Sequence, residues 1–249
     1  MRQYPKVIHY CWFGRNPLPE SAIKCIGSWK KYFPDYEIKE WNEDNFDVDI
    51  IPYTQEAYQA KKYAFVSDYA RFWILYHYGG IYFDTDVEVI KSMDDIIEKG
   101  CFMGVEVPSD GKTPPLVNAG LGLGASSGNR IYKKVIDYYA GLHFLDEEGR
   151  PNPVTVVTHT TKILVENGLE NTNDIQNVDD IWIYPARYFN PLNDNTGVLN
   201  ITPDTRSIHW YTKTWEKRRN PFISWLSRRI HRYFGVNSLQ WLNKLIGRK

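Results

Sequence analysis

Apolar positions recur with two different periods along this chain, and the switches between them outline an alternation of strands and helices. PKVIHYCWFG is a short buried run that ends in a loop at Gly14. In PLPESAIKCIGSWKKYF, Ile23, Ile26 and Trp29 fall at helical spacing behind a proline start signal. YEIKEW reads as a short strand, so the opening is β-α-β. TQEAYQAKKYAFVSDYARFWILYHYGG reads as one broken helix or two successive ones. Its apolar stripe is Val66, Tyr69, Ala70, Trp73 and Tyr76 or His77, and Gly79 is its stop. IYF and VEVI are brief strands, and MDDIIEKG is a helix. CFMGVEV and AGLGLGAS are strand-like, NRIYKKVIDYYAGL is an amphipathic helix, and PVTVVTHTTKILVENG is expected as a helix ending at Gly168 despite its β-branched residues. DIWIYPARYFNP and TRSIHWYTKTW supply late strands and loops. This alternation predicts an α/β sandwich with a mainly parallel sheet.

Composition narrows the class only slightly. With 249 residues, 43% hydrophobic and 24% charged, the chain has the profile of an ordinary globular protein with one large core, or with one domain and a tail. Nine Trp, 18 Tyr and 11 Phe are enough to line a sugar or nucleobase site as well as a core. Cys11, Cys25 and Cys101 form no CxxC pair, so neither a disulfide framework nor a structural zinc site is expected. That favours a reducing cytoplasm, and the short apolar run near the start is too brief for a signal peptide or membrane span.

Charge changes the picture more. From Lys217 to Lys249 there are nine Lys and Arg and no Asp or Glu, leaving 21 basic against 30 acidic residues in the first 216. The chain is therefore read as a domain over residues 1–216 followed by a basic amphipathic tail over 217–249. In the tail Phe222, Trp225, Leu226, Ile230 and Phe234 interleave with Arg228, Arg229 and Arg232. Two readings stay open: an interfacial helix on anionic lipid, or a basic helix packed on the domain. Nucleic acid is not an expected partner, because the body is acidic and the tail carries no recognised motif.

The chemistry gathers at YHYGGIYFDTDVEVI. A carboxylate at the end of a strand sits in the crevice where α/β sheets bind ligands. Asp84 and Asp86, one residue apart, repel unless a proton or cation lies between them. Hard cations such as Mg²⁺ or Mn²⁺ take such oxygens and bridge to phosphates. Upstream, Asp68 and Arg71 share one face of a helix.

The set Ser67, Asp68, Arg71, Gly79, Gly80, Tyr82, Asp84 and Asp86 resembles the S-D-x-x-R and G-G-x-Y-x-D-x-D pattern of the glycosyltransferases of family 32. That group includes yeast-type α-mannosyltransferases and bacterial capsule enzymes, and the glucosylating clostridial toxins share its core. PKVIHYCWFG resembles the family's first strand, and SIHWYTKTW its HxWxxSW segment. In the latter His209 and Trp215 are in place, Thr214 stands for the usual Ser, and the first tryptophan is shifted to Trp210. The resemblance covers residues 4–130 well and 150–216 more loosely.

It implies a GT-A type fold, a mainly parallel Rossmann-like sheet sandwiched by helices, and a Mn²⁺- or Mg²⁺-dependent hexosyltransferase. The expected donor is a nucleotide sugar, UDP-linked rather than GDP-linked. The expected acceptor is a saccharide, lipid-linked in bacterial capsule, exopolysaccharide or lipopolysaccharide assembly at the inner face of the plasma membrane. By the same resemblance Trp12 stacks on the nucleobase. Ser67, Asp68, Arg71, Tyr82, Asn118 and Trp215 line the donor, Asp84 faces its hydroxyls and reaches the metal through water, and Asp86 binds the metal directly with His209 as a further ligand.

Relatives of this kind retain anomeric configuration, and none of Glu106, Asp110 and Asp204 stands out as a nucleophile for double displacement. The resemblance implies same-face substitution, in which the departing diphosphate takes the acceptor's proton. Two other readings compete. A phosphatase of the haloacid dehalogenase type requires Thr or Val where Glu88 stands, and a downstream GDxxxD that is absent. A non-catalytic, membrane-peripheral glycan-binding protein leaves Asp68, Arg71, Asp84 and Asp86 without a purpose.

Overall fold

The computed structural model describes residues 4–152, 154–212 and 229–230. The first half builds β1 (Val7–Cys11), α1 (Glu20–Tyr32), β2 (Glu37–Trp41), α2 (Pro52–Gln59), α3 (Tyr63–Tyr78), β3 (Gly80–Tyr82), β4 (Val87–Val89) and α4 (Asp94–Lys99). It continues with β5 (Cys101–Val107), β6 (Leu116–Ala125), α5 (Arg130–Ala140) and α6 (Val156–Glu166). Last come β7 (Gln176–Val178), β8 (Ile181–Tyr184), α7 (Ala186–Phe189), β9 (Leu192–Asn193), β10 (Val198–Leu199) and β11 (Ser207–His209).

Seven strands join in one sheet, in the order β2-β1-β3-β6-β5-β8-β7. β2, β1, β3, β5 and β8 run one way, and β6 and β7 oppose them, so the sheet is mainly parallel as expected. Residues alternate between its faces. Ile8, Ile81, Phe102 and Leu121 pack with Trp29, Ile96 and Phe189 on the face covered by α1, α4 and α7. Cys11, Tyr82, Met103 and Leu123 pack with Val66, Tyr69, Val135 and Ile163 beneath α2, α3, α5 and α6.

The expected break between the two helices before the aspartates falls at Lys61, whose φ of 57° ends α2. α3 is buried on more of its circumference than its stripe predicted. Phe72, Ile74 and Leu75 are inside, while Trp73 is half-buried and His77 is exposed. α1 corrects the spacing argument: Ile23 is 57% exposed, and the buried face is Ala22, Cys25, Ile26 and Trp29. The helix turns this face to the sheet because Trp29 and Cys25 lie one turn apart, beside Ile26.

β4 leaves the main sheet and pairs instead with β11, antiparallel, with Val87 opposite His209 and Val89 opposite Ser207. α1 fixes this ribbon from behind. The Trp29 indole donates to the Val87 carbonyl at 2.8 Å, and the Val89 amide donates to Ser28 Oγ at 2.9 Å. No helix among the described residues is long and apolar enough to cross a membrane. The tail expectation over 217–249 lies outside the described residues apart from Arg229 and Ile230.

Candidate active site

The double glycine has a backbone reason. Gly79 and Gly80 both have positive φ, 66° and 107°, and a Cβ on Gly80 would lie 2.7 Å from the Val7 carbonyl oxygen. β3 can thus leave α3 sharply and slot beside β1. His9 holds the turn: its Nε2 lies 3.0 Å from the Gly79 carbonyl, and its Nδ1 accepts from the Trp41 indole at 3.0 Å. Burial pushes its imidazole down to about 4.

The turn delivers Asp84 past the end of β3, against β6. The Asp84 amide donates to the Gly120 carbonyl at 3.3 Å. Gly120 must lack a side chain, because a Cβ there would collide with Asp84 Oδ2. Asp84 Oδ1 accepts from the Tyr82 hydroxyl at 3.0 Å.

Arg71 organises the carboxylates. Its guanidinium, 3% exposed, lies 2.9 Å from Asp68 Oδ1 and 3.2 Å from Asp84 Oδ1, and its Nε donates to the Ser67 carbonyl at 3.0 Å. The guanidinium also sits over the Tyr82 ring, 5.1 Å from its centroid. So the pair expected on one helical face is a buried clamp whose second partner is Asp84. Burial pushes Asp68 up to about 7 against the pull of Arg71, and burial with the neighbouring Asp86 charge also raises Asp84.

Asp86 has a different environment. Register across β4 and β11 brings His209 Nε2 to 3.1 Å from Asp86 Oδ1. The other oxygen, Oδ2, accepts from the Thr212 amide at 2.9 Å and the Thr212 hydroxyl at 3.2 Å. Burial opposes ionisation of Asp86, but His209 and Thr212 outweigh it and hold the carboxyl at about 2. Burial alone would lower the His209 imidazole; Asp86, Asp84 and Glu106 together raise it.

The other expected residues lie around this centre or away from it. Asn118 is 9% exposed on β6, with Oδ1 accepting from the Gly120 amide and Nδ2 donating to Glu106 at 3.1 Å. Trp12, half-buried just past β1, donates its indole N–H to the Asn16 carbonyl at 2.6 Å. The Ser67 hydroxyl turns back to the Tyr63 carbonyl at 3.2 Å, so it is spent within α3. Trp215 and Thr214 lie outside the described residues.

Residues 19–103 match the family model described as the glycosyltransferase sugar-binding region containing the DXD motif. Over that segment the chain is similar to the DXD-motif glycosyltransferases. It is 30% identical over 114 residues to inositol phosphoceramide mannosyltransferase 1 of Schizosaccharomyces pombe, covering 41% of this chain and 34% of that one. An uncharacterized glycosyltransferase of Acanthamoeba polyphaga mimivirus is 28% identical over 206 residues, 76% of each chain. The chain thus spans about a third of the fission-yeast mannosyltransferases it matches. Among solved structures, the PaToxG glycosyltransferase superposes with a TM-score of 0.50 at 21% identity, covering 66% of this chain and 69% of that one. A glycosyltransferase involved in glycosylation of the major capsid of PBCV-1 also gives 0.50, at 13% identity over 83% and 94%. The fold is GT-A.

DXD glycosyltransferases of this fold generally use a divalent metal, and the family's two aspartates here have a third donor beside them. One ligand atom from each of Asp84, Asp86 and His209 lies within 4.8 Å of the others. Two carboxylates and an imidazole suit a hard or borderline divalent ion. Burial raises Asp84 and the Asp86 charge adds to it; a cation between the two carboxylates would oppose both effects. These residues fit the metal.

Sequence reasoning missed Thr212 and Tyr211, and discounted Glu106. Thr212 reaches Asp86 just past Tyr211, whose φ of 49° no residue pattern announces. Glu106 sits at a register shift in β5, where Val105 pairs with Val117 but Val107 with Leu116. A bulge of this kind re-aims a side chain, and alternation along CFMGVEV cannot locate it.

Proposed function

We propose that the protein is a divalent-metal-dependent glycosyltransferase that moves a sugar from a nucleotide-sugar donor to a saccharide acceptor. The Asp84, Asp86 and His209 cluster, set at the end of β3 and tied to Arg71, is the observation that carries this reading. Asp86 and His209 would hold the metal, which when bound neutralises the diphosphate leaving group. Arg71 favours the ionised form of Asp84 against its burial and fixes its carboxylate plane through two nitrogens. Thr212 fixes the far oxygen of Asp86, leaving the near one toward His209. In this reading Trp12 would serve as a platform for the base and Asn118 as a partner for sugar hydroxyls.

We infer retention by same-face substitution. The bond from the anomeric carbon to the diphosphate oxygen breaks, the acceptor oxygen bonds to that carbon, and the acceptor proton passes to the departing diphosphate. A double displacement would need a carboxylate nucleophile beneath the anomeric carbon. Glu106 is the carboxylate beside Asn118, and its two oxygens accept from Asn118 and Tyr211.

For the donor, a UDP-linked hexose or N-acetylhexosamine remains the first reading. The names of the fission-yeast relatives favour a second, a mannosyl donor, with a lipid-linked acceptor in common. A bacterial capsule or exopolysaccharide setting, with the basic tail holding the enzyme at the inner leaflet, completes the proposal. The test is nucleotide release from a panel of UDP- and GDP-sugars, with Mn²⁺ and with chelator. Metal-dependent hydrolysis of one donor supports the reading and names its sugar. No release and no metal-dependent nucleotide binding contradicts it.

A further inference from the structure

Glu106 belongs to neither the metal cluster nor the Arg71 clamp, yet three separate elements converge on it. From β6, Asn118 Nδ2 donates to Glu106 Oε2 at 3.1 Å. From the segment after β11, the Tyr211 hydroxyl donates to Glu106 Oε1 at 3.1 Å. From the end of α7, Asn190 Nδ2 donates to the Glu106 carbonyl at 3.1 Å. The bulge between Val105 and Val107 turns this one residue out of the alternation of β5.

Tyr211 in turn joins two metal-cluster residues. Its ring meets the His209 ring edge-on, with centroids 4.2 Å apart at 81°. Its left-handed φ of 49° places the next residue, Thr212, on Asp86 Oδ2. A non-glycine residue keeps such a conformation only where its surroundings impose it. Among the described residues, the Glu106 carboxylate is the hydrogen-bond acceptor that holds the Tyr211 hydroxyl. On the other side, Asn118 accepts from the Gly120 amide, and Gly120 accepts from the Asp84 amide. A chain of contacts therefore runs from Asp84 through Gly120, Asn118, Glu106 and Tyr211 to His209, and through Thr212 to Asp86.

We propose that Glu106 is a positioning residue for the metal site, imposing the Tyr211 conformation that sets His209 and Thr212 around Asp86. This rests on the metal reading of the cluster above. Glu106 itself touches neither Asp86 nor His209 in any hydrogen bond, so its influence passes through Tyr211. Glutamine at this position keeps an oxygen that accepts from Asn118 and offers an amide N–H to the Tyr211 hydroxyl but loses the charge, while alanine loses both contacts. Tyr211→Phe removes only the hydroxyl and leaves the ring against His209.

The experiment is Mn²⁺ titration of the full chain, followed by loss of the free-ion signal in electron paramagnetic resonance, with UDP present and absent. Hydrogen exchange of the 207–212 peptide is read in parallel. Glu106→Ala and Tyr211→Phe should each weaken Mn²⁺ binding by about tenfold, the usual effect of removing a group that orients a metal ligand. The double variant should be no weaker than Glu106→Ala alone, Glu106→Gln should fall between, and exchange over 207–212 should rise in each. Should Glu106→Ala fail to fold, Tyr211→Phe carries the same test. Unchanged affinity and unchanged exchange in Tyr211→Phe, or additive losses in the double variant, would overturn the inference while leaving the metal site intact. A wild-type chain that binds no Mn²⁺ would overturn the metal reading, and this inference with it.

Discussion

At the scale of single residues, Arg71 and Gly120 do the most to shape the site. Arg71 is a buried cation whose charge is matched by Asp68 and Asp84. Removing one partner of such a group leaves an uncompensated buried charge, which costs about 3–5 kcal/mol. Arg71→Met should lower unfolding stability by about that amount in a denaturant titration, because both aspartates lose their partner. A loss under 1 kcal/mol would show that the clamp is solvated. Gly120→Ala is a more local test: its Cβ meets Asp84 Oδ2 and Asn118 Oδ1. It should weaken Mn²⁺ binding by tenfold or more, a metal-geometry effect in the range of about 10–100-fold, while the fold stays cooperative. Asp84 and Asp86 could be read from the sequence as a pair, and so could Arg71 on the face of Asp68. That Arg71 would turn to Asp84 could not, because it depends on where β3 lands against α3.

At the scale of elements, the α3–β3 turn and the β4–β11 ribbon set the positions of those residues. The turn rests on neutral His9, which donates from Nε2 to Gly79 and accepts at Nδ1 from Trp41. Protonation would put a second donor against the Trp41 N–H. With the folded pKa near 4 and an ordinary value of 6.5, the unfolded chain binds the proton more readily between them. The His9 contribution is therefore fully present above pH 6.5 and is lost as pH falls through about 4, at most about 3 kcal/mol. Asp68, raised to about 7, works in the opposite sense, losing stability as pH rises from its ordinary value of 3.8. The His9 share is thus read from its own imidazole resonances, which should stay neutral, with the proton on Nε2, until the pH approaches 4. Titration near 6.5 would contradict the assignment. The ribbon rests on Trp29, fully buried and bonded to Val87. Trp29→Ala should cost about 3–5 kcal/mol and also loosen His209, since Val87 pairs with it.

The order of strands and helices was legible in the hydrophobic periods, down to the break before α3. The ribbon was not: VEVI and TRSIHWY carry the pattern of strands, but nothing in either says that they pair with each other rather than with the main sheet. Ile23 shows the same limit in a helix, where spacing alone admits a neighbouring face that the sheet does not cover.

At the scale of the whole molecule, the sheet splits the chain into two packed layers, and the site lies where β3, β6 and the β4–β11 ribbon meet. His209 comes to Asp86 from far along the chain, which explains why the third metal donor could be proposed from the family pattern but not from local spacing. The charge division is likewise a property of the whole chain: an acidic body and a basic end. Removing residues 217–249 should reduce binding to vesicles rich in anionic lipid, and equal binding with and without them would remove the proposed role of the tail. The proposed role of Asp84, Asp86 and His209, holding a divalent ion for a nucleotide diphosphate, can be read by calorimetric titration of UDP and GDP into the wild-type chain and Asp86→Ala, each with Mn²⁺ and with chelator. Nucleotide binding should need Mn²⁺ in the wild type and be lost in Asp86→Ala. Equal nucleotide affinity in all four conditions would contradict it.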